Sequence, residues 1–329
     1  MTPLLEIKNL TVDLPTSKGT LRAVRGIDLH VNKGEMLCVV GESGCGKSMT
    51  SLALMGLLPK KAECRADVLS FDGIDMRDIS FKKRSALRGN RISMIFQEPM
   101  TSLNPSYTLG NQLCEAIRRH QNVSKQEAVD RAVYLLERTG IQNAAARLGQ
   151  YPHQLSGGLR QRVMIAMALM CQPDLIIADE PTTALDVSIQ AQILRLIREL
   201  QKEFGTAVLF ITHDLGVVAR IADRVAVMYA GRIIEQAPVA ELFANPKHPY
   251  TRGLLNCIPI RGQTLPGSHL TAIPGVVPSL IGETVGCAFK NRCTQAQERC
   301  SQAVDAVQFS GGHQVFCNAV SGQPVRAFA

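Results

Sequence analysis

The segment at residues 41–48, GESGCGKS, fits the pattern G-x-x-x-x-G-K-[ST] between a predicted strand and a predicted helix. Its glycines allow backbone N–H groups to surround phosphate groups, and its lysine can reach the outer phosphates. The serine hydroxyl that follows is expected to hold Mg²⁺. The segment is therefore predicted to bind a nucleoside triphosphate through Gly41, Glu42, Ser43, Gly44, Cys45, Gly46, Lys47 and Ser48.

A pair of carboxylates ends a second apolar segment, LIIADE, at residues 175–180. Asp179 at the tip of this predicted strand suits Mg²⁺ coordination, and Glu180 suits polarisation of an attacking water. The alternative is an ordinary solvated strand end. The apolar strand and the upstream phosphate-binding segment favour the chemical interpretation, which predicts hydrolysis of the bound triphosphate.

The glycine-rich segment and the carboxylate pair must be positioned by strands and helices. Apolar strands are predicted at 34–41, 91–97, 174–180 and 207–214, with helical patterns between them. This alternation predicts an α/β fold with a mainly parallel sheet. Residues 4–40 predict a smaller sheet, and residues 224–236 predict a hairpin around Gly231. One helix is predicted to begin after Ser124 and to stop at Gly140.

The composition changes after about residue 238, where the stretches NPKHPY, LPGS and IPGVVPS are punctuated by proline and predicted to be extended. We predict a main domain at residues 1–237, a proline-rich linker at 238–279 and a small cysteine-rich module at 280–329.

The stretch LSGGLRQR, at residues 155–162, places a serine and two glycines at a predicted helix start, where free N–H groups can face an anion. At this point the chain resembles the ATP-binding-cassette (ABC) ATPases, because the stretch matches their signature motif. Further marks of that family occur in order over about residues 30–215. The matching residues are Gln97 after a strand, Ser156, Gly157 and Gly158 of the signature, Asp186 of the ALD segment at 184–186, and His213 after the strand VLFIT.

The resemblance implies a P-loop NTPase fold with a RecA-like core, an antiparallel β subdomain, a helical subdomain at about 98–165 and a small cysteine-rich C-terminal extension. It also implies two nucleotide domains, head to tail, with ATP and Mg²⁺ between them. In one subunit it assigns catalysis to Glu180, His213 and Gln97, and Mg²⁺ binding to Ser48, Gln97 and Asp179. The signature residues would contact ATP held by the opposite subunit. Leu14 stands where the family usually stacks an aromatic on adenine.

Longer stretches narrow the branch, because they closely resemble the ATPase subunits of bacterial dipeptide and oligopeptide importers, in particular the D-type subunit of dipeptide permeases. The stretches are QEPMTSLNP at 97–105, ADEPTTALDVSIQAQIL at 178–194, MYAGRIIE at 228–235 and HPYTRGLL at 248–255. This likeness implies a second ABC ATPase subunit of different sequence, two transmembrane permease subunits and an extracytoplasmic solute-binding protein as partners. Members of this group also import nickel chelates, opines or antimicrobial peptides, so the solute stays open.

A soluble ABC ATPase of DNA repair or translation is disfavoured. The segment between Lys47 and Leu155 has no sustained heptads for a long coiled coil, and the chain carries one cassette where translation members carry two. The formal net charge is +8, yet the basic clusters at 59–61 and 81–84 are short and aromatics make up 5% of residues. We therefore predict no nucleic-acid partner.

The N-terminus lacks the pattern of a signal peptide. The longest apolar run, at 163–171, is far shorter than the ~18 residues of a membrane span. Together with the implied partners, these features predict a peripheral protein at the cytoplasmic face of the bacterial cell membrane.

Four of the ten cysteines cluster in the tail with the spacing C-x₅-C-x₆-C-x₁₆-C: Cys287, Cys293, Cys300 and Cys317. A reducing compartment disfavours disulfides, and the C-x₂₋₄-C knuckle of structural zinc is missing. Four thiolates suit an iron–sulfur cluster of the [4Fe–4S] type, and similar tails in the peptide-importer ATPases point the same way. Unliganded thiols and zinc remain as alternatives. Separately, Cys45 is either a point of chemical inhibition or an unreactive small residue.

Overall fold

The structure is a computed structural model that describes residues 2–98, 102–183, 185–258, 272–282, 285–320 and 323–324. Its contacts divide the chain into two compact units. Within the described residues, the first unit comprises 2–4, 31–36 and 78–211, and the second comprises 5–30, 37–77 and 212–324. The second unit continues through the predicted boundaries at 237 and 279. The assignment of residues 1–237, 238–279 and 280–329 to separate domains stays a prediction.

The strands are β1 Leu5–Thr16, β2 Gly19–Val31, β3 Met36–Val40, β4 Glu63–Arg65, β5 Val68–Phe71, β6 Ile74–Asp75, β7 Ile92–Ile95, β8 Leu175–Asp179, β9 Ala207–Thr212, β10 Arg224–Tyr229, β11 Arg232–Pro238, β12 Ala306–Gln308, β13 Gln314–Phe316 and β14 Gln323–Pro324. The α-helices with described bounds are α1 Lys47–Met55, α2 Phe81–Leu87, α3 Leu109–His120, α4 Lys125–Arg138, α5 Ala144–Arg147, α6 Gly157–Ala168, α7 Val187–Phe204, α8 Leu215–Ile221, α9 Val239–Ala244 and α10 Pro249–Asn256.

The first unit is built on parallel strands. β8 pairs in parallel with β7 on one side and with β9 on the other. Every residue of β8 and β9 is buried, which explains why these strands read as uninterrupted apolar runs. The predicted parallel α/β arrangement is confirmed for these strands.

The helices α3 to α6 of the same unit occupy the region predicted to be helical. Helix α4 begins at a capping box, in which the Ser124 side chain accepts a hydrogen bond from the Glu127 N–H and Glu127 bonds back to the Ser124 N–H. Both predicted ends of this helix are confirmed, since Gly140 follows it with φ +81°. Residues 99–101, which belong to the predicted helical subdomain and to the quoted stretch QEPMTSLNP, lie outside the described residues.

The second unit contains two sheets. The smaller sheet has the order β2-β1-β5-β6, with β4 on β1. The pairs β1–β4, β1–β5 and β5–β6 are antiparallel. In the larger sheet β3 pairs in parallel with β10, and β10 forms the predicted hairpin with β11. Gly231, at the turn of this hairpin, has φ +79°, which an L residue rarely adopts.

The predicted linker differs from the structure over its first part. The predicted linker contains α9 and α10, and Pro249, from the stretch 245–250 that was expected to be extended, is the first residue of α10. Proline is favoured there because the first N–H of a helix has no intrahelical partner. The His248 ring Nδ1 then caps the helix by accepting a hydrogen bond from the Tyr250 N–H at 3.0 Å. Residues 259–271 of the predicted linker lie outside the described residues.

The predicted C-terminal module shares the second unit with the phosphate-binding segment. β13 pairs antiparallel with β11, and β12 follows on β13. A buried contact supports this attachment: the His313 Nε2 and the Glu235 Oε1 lie 2.7 Å apart, and both side chains are fully buried. The tail therefore continues a sheet of the second unit. No α-helix among the residues that the structure describes is long and apolar enough to cross a membrane.

The buried His248 side chain should make the free energy of unfolding depend on pH. Burial lowers the pKa of His248 from 6.5 to about 4, and its Nε2 finds no hydrogen-bond partner within the described chain. The unfolded chain therefore binds a proton below about pH 6.5 that the folded chain refuses until about pH 4. The free energy of unfolding should fall across this window by an amount on the order of 3 kcal/mol.

Urea unfolding measured at pH 7.0, 6.0 and 5.0 checks this prediction. His248→Asn keeps a helix-capping acceptor and removes the titration, so its free energy of unfolding should change less with pH than that of the wild type. The matched control is His153→Asn, since His153 is exposed. Identical pH dependence in His248→Asn and in the wild type would contradict the assignment.

Candidate functional site

The predicted phosphate-binding segment connects the buried strand β3 to helix α1, as expected. Gly46 precedes the helix with φ +107°, and the Lys47 side chain lies buried beneath the loop. The Lys47 Nζ donates hydrogen bonds to the carbonyl oxygens of Gly41 at 2.8 Å and of Glu42 at 3.0 Å. The loop thus holds its ammonium group close to its own backbone, with Ser43 and Gly44 exposed in front of it.

Steric contacts fix two of the loop glycines. A Cβ on Gly41 would lie 2.1 Å from the Met228 carbonyl oxygen, and a Cβ on Gly46 would lie 2.4 Å from the Ala23 carbonyl oxygen. Gly44 has open space around it, with no atom within 4 Å of the position of a Cβ. An open loop face above a buried ammonium is the arrangement that a triphosphate requires, so the residues present fit ATP.

Cys45 is buried inside the loop. Burial raises the pKa of the Cys45 thiol, while the neighbouring Lys47 charge acts in the opposite direction. A protonated, buried thiol reacts slowly with alkylating reagents, because the thiolate is the nucleophile. The structure therefore favours the small, unreactive residue over the point of chemical inhibition.

The predicted acidic pair lies at the end of β8 in the first unit. Asp179 is buried, and Glu180 has φ +45°, an uncommon backbone conformation for a residue other than glycine. The Glu180 carboxylate accepts a hydrogen bond from the Gln97 side-chain amide at 3.3 Å and one from the Thr183 hydroxyl at 2.9 Å. The structure thus brings together two predicted site residues, Gln97 and Glu180, and adds Thr183, which the sequence analysis missed.

The signature stretch caps helix α6 as predicted. The Ser156 hydroxyl accepts a hydrogen bond from the Leu159 N–H at 3.4 Å, and Gly157 and Gly158 form the first turn. A Cβ on Gly158 would lie 3.2 Å from the Ile189 side chain of α7, so the glycine permits the close approach of α6 and α7.

Helix α7 begins directly after the ALD segment of residues 184–186. The Asp186 carboxylate accepts a hydrogen bond from the Ile189 N–H at 2.9 Å and therefore caps this helix. Ala184 lies outside the described residues. His213 is exposed between β9 and α8 in the second unit, next to Asp214, which caps α8.

Glu42 has two partners that the sequence analysis did not predict. Its backbone N–H donates to the Tyr250 hydroxyl at 3.0 Å. Its carboxylate receives two hydrogen bonds from the Arg292 guanidinium, at 2.7 and 2.9 Å. Both partners lie far along the chain, so no local pattern could have indicated them.

Comparison with protein families gives two matches. The model described as ABC transporter matches residues 24–183. The model described as oligopeptide/dipeptide transporter, C-terminal region, matches residues 234–300. The chain is also 51% identical, over 95% of its own length and 94% of the relative's, to a probable peptide ABC transporter ATP-binding protein of Sinorhizobium fredii. The chain belongs to the ABC transporter ATPase family.

Two further relatives come from Bacillus subtilis. The oligopeptide transport ATP-binding protein OppD is 52% identical over 91% of this chain and 83% of that protein. The dipeptide transport ATP-binding protein DppD is 48% identical over 96% of this chain and 95% of that protein. Among solved structures, this ABC ATPase resembles the dimeric ATP-binding cassette MJ0796 in a post-hydrolysis state bound to ADP and Pi, with a TM-score of 0.63 and 27% identity. That match covers 71% of this chain and 98% of that one.

In the tail of this ABC ATPase, the Cys287 N–H donates a hydrogen bond to the Cys300 carbonyl oxygen at 2.8 Å. Burial raises the pKa of Cys287, and Cys317, Cys300 and Cys293 each raise it further through their charge. The Cys293 sulfur accepts a hydrogen bond from the Gln295 N–H at 3.3 Å, and the Cys300 sulfur accepts one from the Gln297 N–H at 3.4 Å. All four thiols are free of disulfides.

The predicted metal site is not present as a preformed ligand set. No group of three or more histidine, cysteine or acidic side chains in the described part of the chain is placed to hold a metal ion. This finding supports neither the iron–sulfur cluster nor zinc at the four tail cysteines.

The loop glycines generate a prediction about stability. Gly46→Ala forces a Cβ against the Ala23 carbonyl oxygen and should lower the free energy of unfolding by more than about 2 kcal/mol. Gly44→Ala has the same kind of left-handed φ, +77°, but open space around its Cβ, and should cost about 1 kcal/mol. Urea unfolding of both variants checks this. Equal losses in the two variants would show that backbone strain, and not the steric contact, sets the requirement for glycine.

Proposed function

We propose that the chain is the ATP-hydrolysing subunit of a membrane importer for dipeptides or oligopeptides. The observation that carries this proposal is identity of about one half to peptide-transport ATPases over more than nine tenths of the chain. The match to the oligopeptide/dipeptide C-terminal region supports the same branch, because it extends beyond the cassette itself.

ATP with Mg²⁺ supplies the bond to be hydrolysed, and the residues of this chain would bind and orient it. Lys47 and the loop N–H groups would hold the phosphates. Ser48, Gln97 and Asp179 would hold Mg²⁺, and Asp186 would contribute to nucleotide binding. The signature residues Ser156, Gly157 and Gly158 would contact ATP held by the opposite subunit. This assignment is supported by the loop geometry, by the buried Asp179 and by the position of Ser156 and the glycines at a helix start.

Glu180 is the proposed general base for the attacking water, with His213 as a further catalytic residue. The hydrogen bonds from Gln97 and Thr183 fix the orientation of the Glu180 carboxylate. A carboxylate that is already oriented needs little reorganisation when the water loses its proton. Gln97 therefore has two proposed roles, one toward Mg²⁺ and one toward the base.

The proposed partners are a second ABC ATPase subunit of different sequence, two transmembrane permease subunits and an extracytoplasmic solute-binding protein. The two nucleotide domains would pair head to tail, and the chain would sit peripherally at the cytoplasmic face of the cell membrane. The dimeric state of the cassette MJ0796 supports the pairing. We propose that the helical region at about 98–165 contacts the permeases.

The importer reconstituted in proteoliposomes tests the solute. A dipeptide or oligopeptide presented by the solute-binding protein should stimulate ATP hydrolysis and accumulate inside the vesicle. Stimulation by a nickel chelate or an opine, with none by peptides, would reject the peptide assignment while keeping the chain an importer ATPase.

Glu180→Gln should abolish steady-state ATP hydrolysis and leave ATP binding intact. Loss of a positioned base lowers the rate by roughly 10²–10⁴-fold, whereas the amide still fits the same space. Phosphate release and binding of a fluorescent ATP analogue by the assembled transporter measure the two properties. The control is Glu199→Gln, a substitution at an exposed position of α7. Hydrolysis at the wild-type rate in Glu180→Gln would reject the assignment.

We also propose that Cys287, Cys293, Cys300 and Cys317 bind one [4Fe–4S] cluster. Four cysteine thiolates are the ligand set that such a cluster would take. The backbone hydrogen bond from Cys287 to Cys300 and the N–H groups directed at the Cys293 and Cys300 sulfurs support this ligand set. The cluster would draw the four thiolates together and stabilise the tail.

Anaerobic purification followed by iron, sulfide and zinc analysis tests the cluster. About four iron and four sulfide per chain are expected. Cys300→Ser should lose the iron and the visible absorbance, whereas Cys64→Ser, at an exposed position of β4, should keep both. One zinc per chain without sulfide, or no metal at all, would contradict the proposal.

A further inference from the structure

Glu42 is the second residue of the phosphate-binding loop, and it is held from two directions. The Tyr250 hydroxyl accepts a hydrogen bond from its N–H at 3.0 Å. The Arg292 guanidinium binds its carboxylate in a bidentate manner, with Nη1–Oε2 at 2.7 Å and Nη2–Oε1 at 2.9 Å. A bidentate pair of this kind fixes both the position and the plane of the carboxylate.

The negative charge of Glu42 affects phosphate binding because its carboxylate lies in the phosphate-binding loop. Its carboxylate belongs to a loop that fits the phosphates of ATP, and a negative charge there opposes their binding. The side chain is only 27% exposed, so water screens it incompletely. Arg292 therefore neutralises a carboxylate that would otherwise repel the triphosphate.

Arg292 is itself rigidly placed. Its side chain is 5% exposed. Its Nε donates to the Pro274 carbonyl oxygen at 2.9 Å, and its Nη2 donates to the Ile273 carbonyl oxygen at 3.2 Å. Its guanidinium also lies over the Tyr229 and Phe289 rings, 5.8 Å from each centroid. An arginine with so many fixed contacts loses little further conformational freedom when it binds a carboxylate.

The position of Arg292 depends on the cysteine-rich tail. The residue lies immediately before Cys293, in the short 3₁₀ helix Lys290–Arg292. Phe289, which precedes this helix, is buried and packs on Tyr229 and Tyr250 with ring centroids 5.3 Å apart in each case. The same aromatic cluster therefore carries both groups that reach Glu42.

We propose that Arg292 is a positioning residue for ATP binding: it neutralises and orients Glu42, and so makes the cysteine-rich tail part of the phosphate site. The tail would set the affinity for ATP without touching the nucleotide. Removal of Arg292 should weaken ATP binding in the ground state and in the transition state alike, which raises KM and leaves kcat nearly unchanged.

Steady-state ATP hydrolysis by the assembled transporter tests the proposal. Arg292→Met should raise KM for ATP by about tenfold and change kcat by less than about twofold. Arg292→Lys retains a positive charge without the bidentate geometry, so its KM should lie between those of the wild type and Arg292→Met. The rise in KM should shrink as the salt concentration increases, because salt screens an electrostatic repulsion.

The decisive comparison uses Glu42→Ala as a background. If Arg292 acts through the Glu42 carboxylate, Arg292→Met should raise KM by no more than about twofold once that carboxylate is absent. The matched control is Arg299→Ala, an exposed arginine of the same tail whose side chain bonds Gln297, and it should leave KM unchanged.

Three outcomes would overturn the proposal. They are an unchanged KM in Arg292→Met, the same rise in KM with and without the Glu42 carboxylate, and an equal rise in Arg299→Ala. If Arg292→Met fails to assemble, the double variant with Glu42→Ala should recover assembly, because the unpaired carboxylate has been removed. Failure of the double variant to assemble would also count against a role through Glu42.

Discussion

Close packing around the phosphate-binding loop is the constraint on which the rest of the site depends. The carbonyl oxygens of Met228 and Ala23 occupy the space where Gly41 and Gly46 would carry side chains. The loop is also bonded to the β10–β11 turn, since the Gly231 N–H donates to the Cys45 carbonyl oxygen at 2.9 Å. Neighbouring strands, and not local preference alone, therefore require glycine at these two positions of the predicted phosphate-binding loop.

Charged groups of the family motifs have partners within their own unit of the chain. Lys47 bonds to loop carbonyl oxygens, Glu180 receives hydrogen bonds from an amide and a hydroxyl, and Glu42 is paired with Arg292. Orientation of this kind reduces the reorganisation that catalysis requires. It also means that groups outside the family motifs contribute to the electrostatics of the motifs.

Both apolar and polar contacts attach the C-terminal tail to the other elements of the second unit. β13 extends the sheet at β11, the buried pair of His313 and Glu235 lies beside it, and Phe289 packs into an aromatic cluster with Tyr229 and Tyr250. The matched C-terminal region of peptide-transport ATPases begins at residue 234, within β11, and so it includes the strand on which the tail docks.

The sequence alone determined the elements and residues that follow local rules. A glycine-rich loop between an apolar strand and a helix, a carboxylate pair at a strand end and the caps of α4 and α6 each depend on neighbours within a few residues. Only the tertiary structure decided the pairing of Glu42 with Arg292, which are 250 residues apart. The physical reason is that a long-range ion pair depends on how distant segments pack, and neither partner's local sequence carries that information.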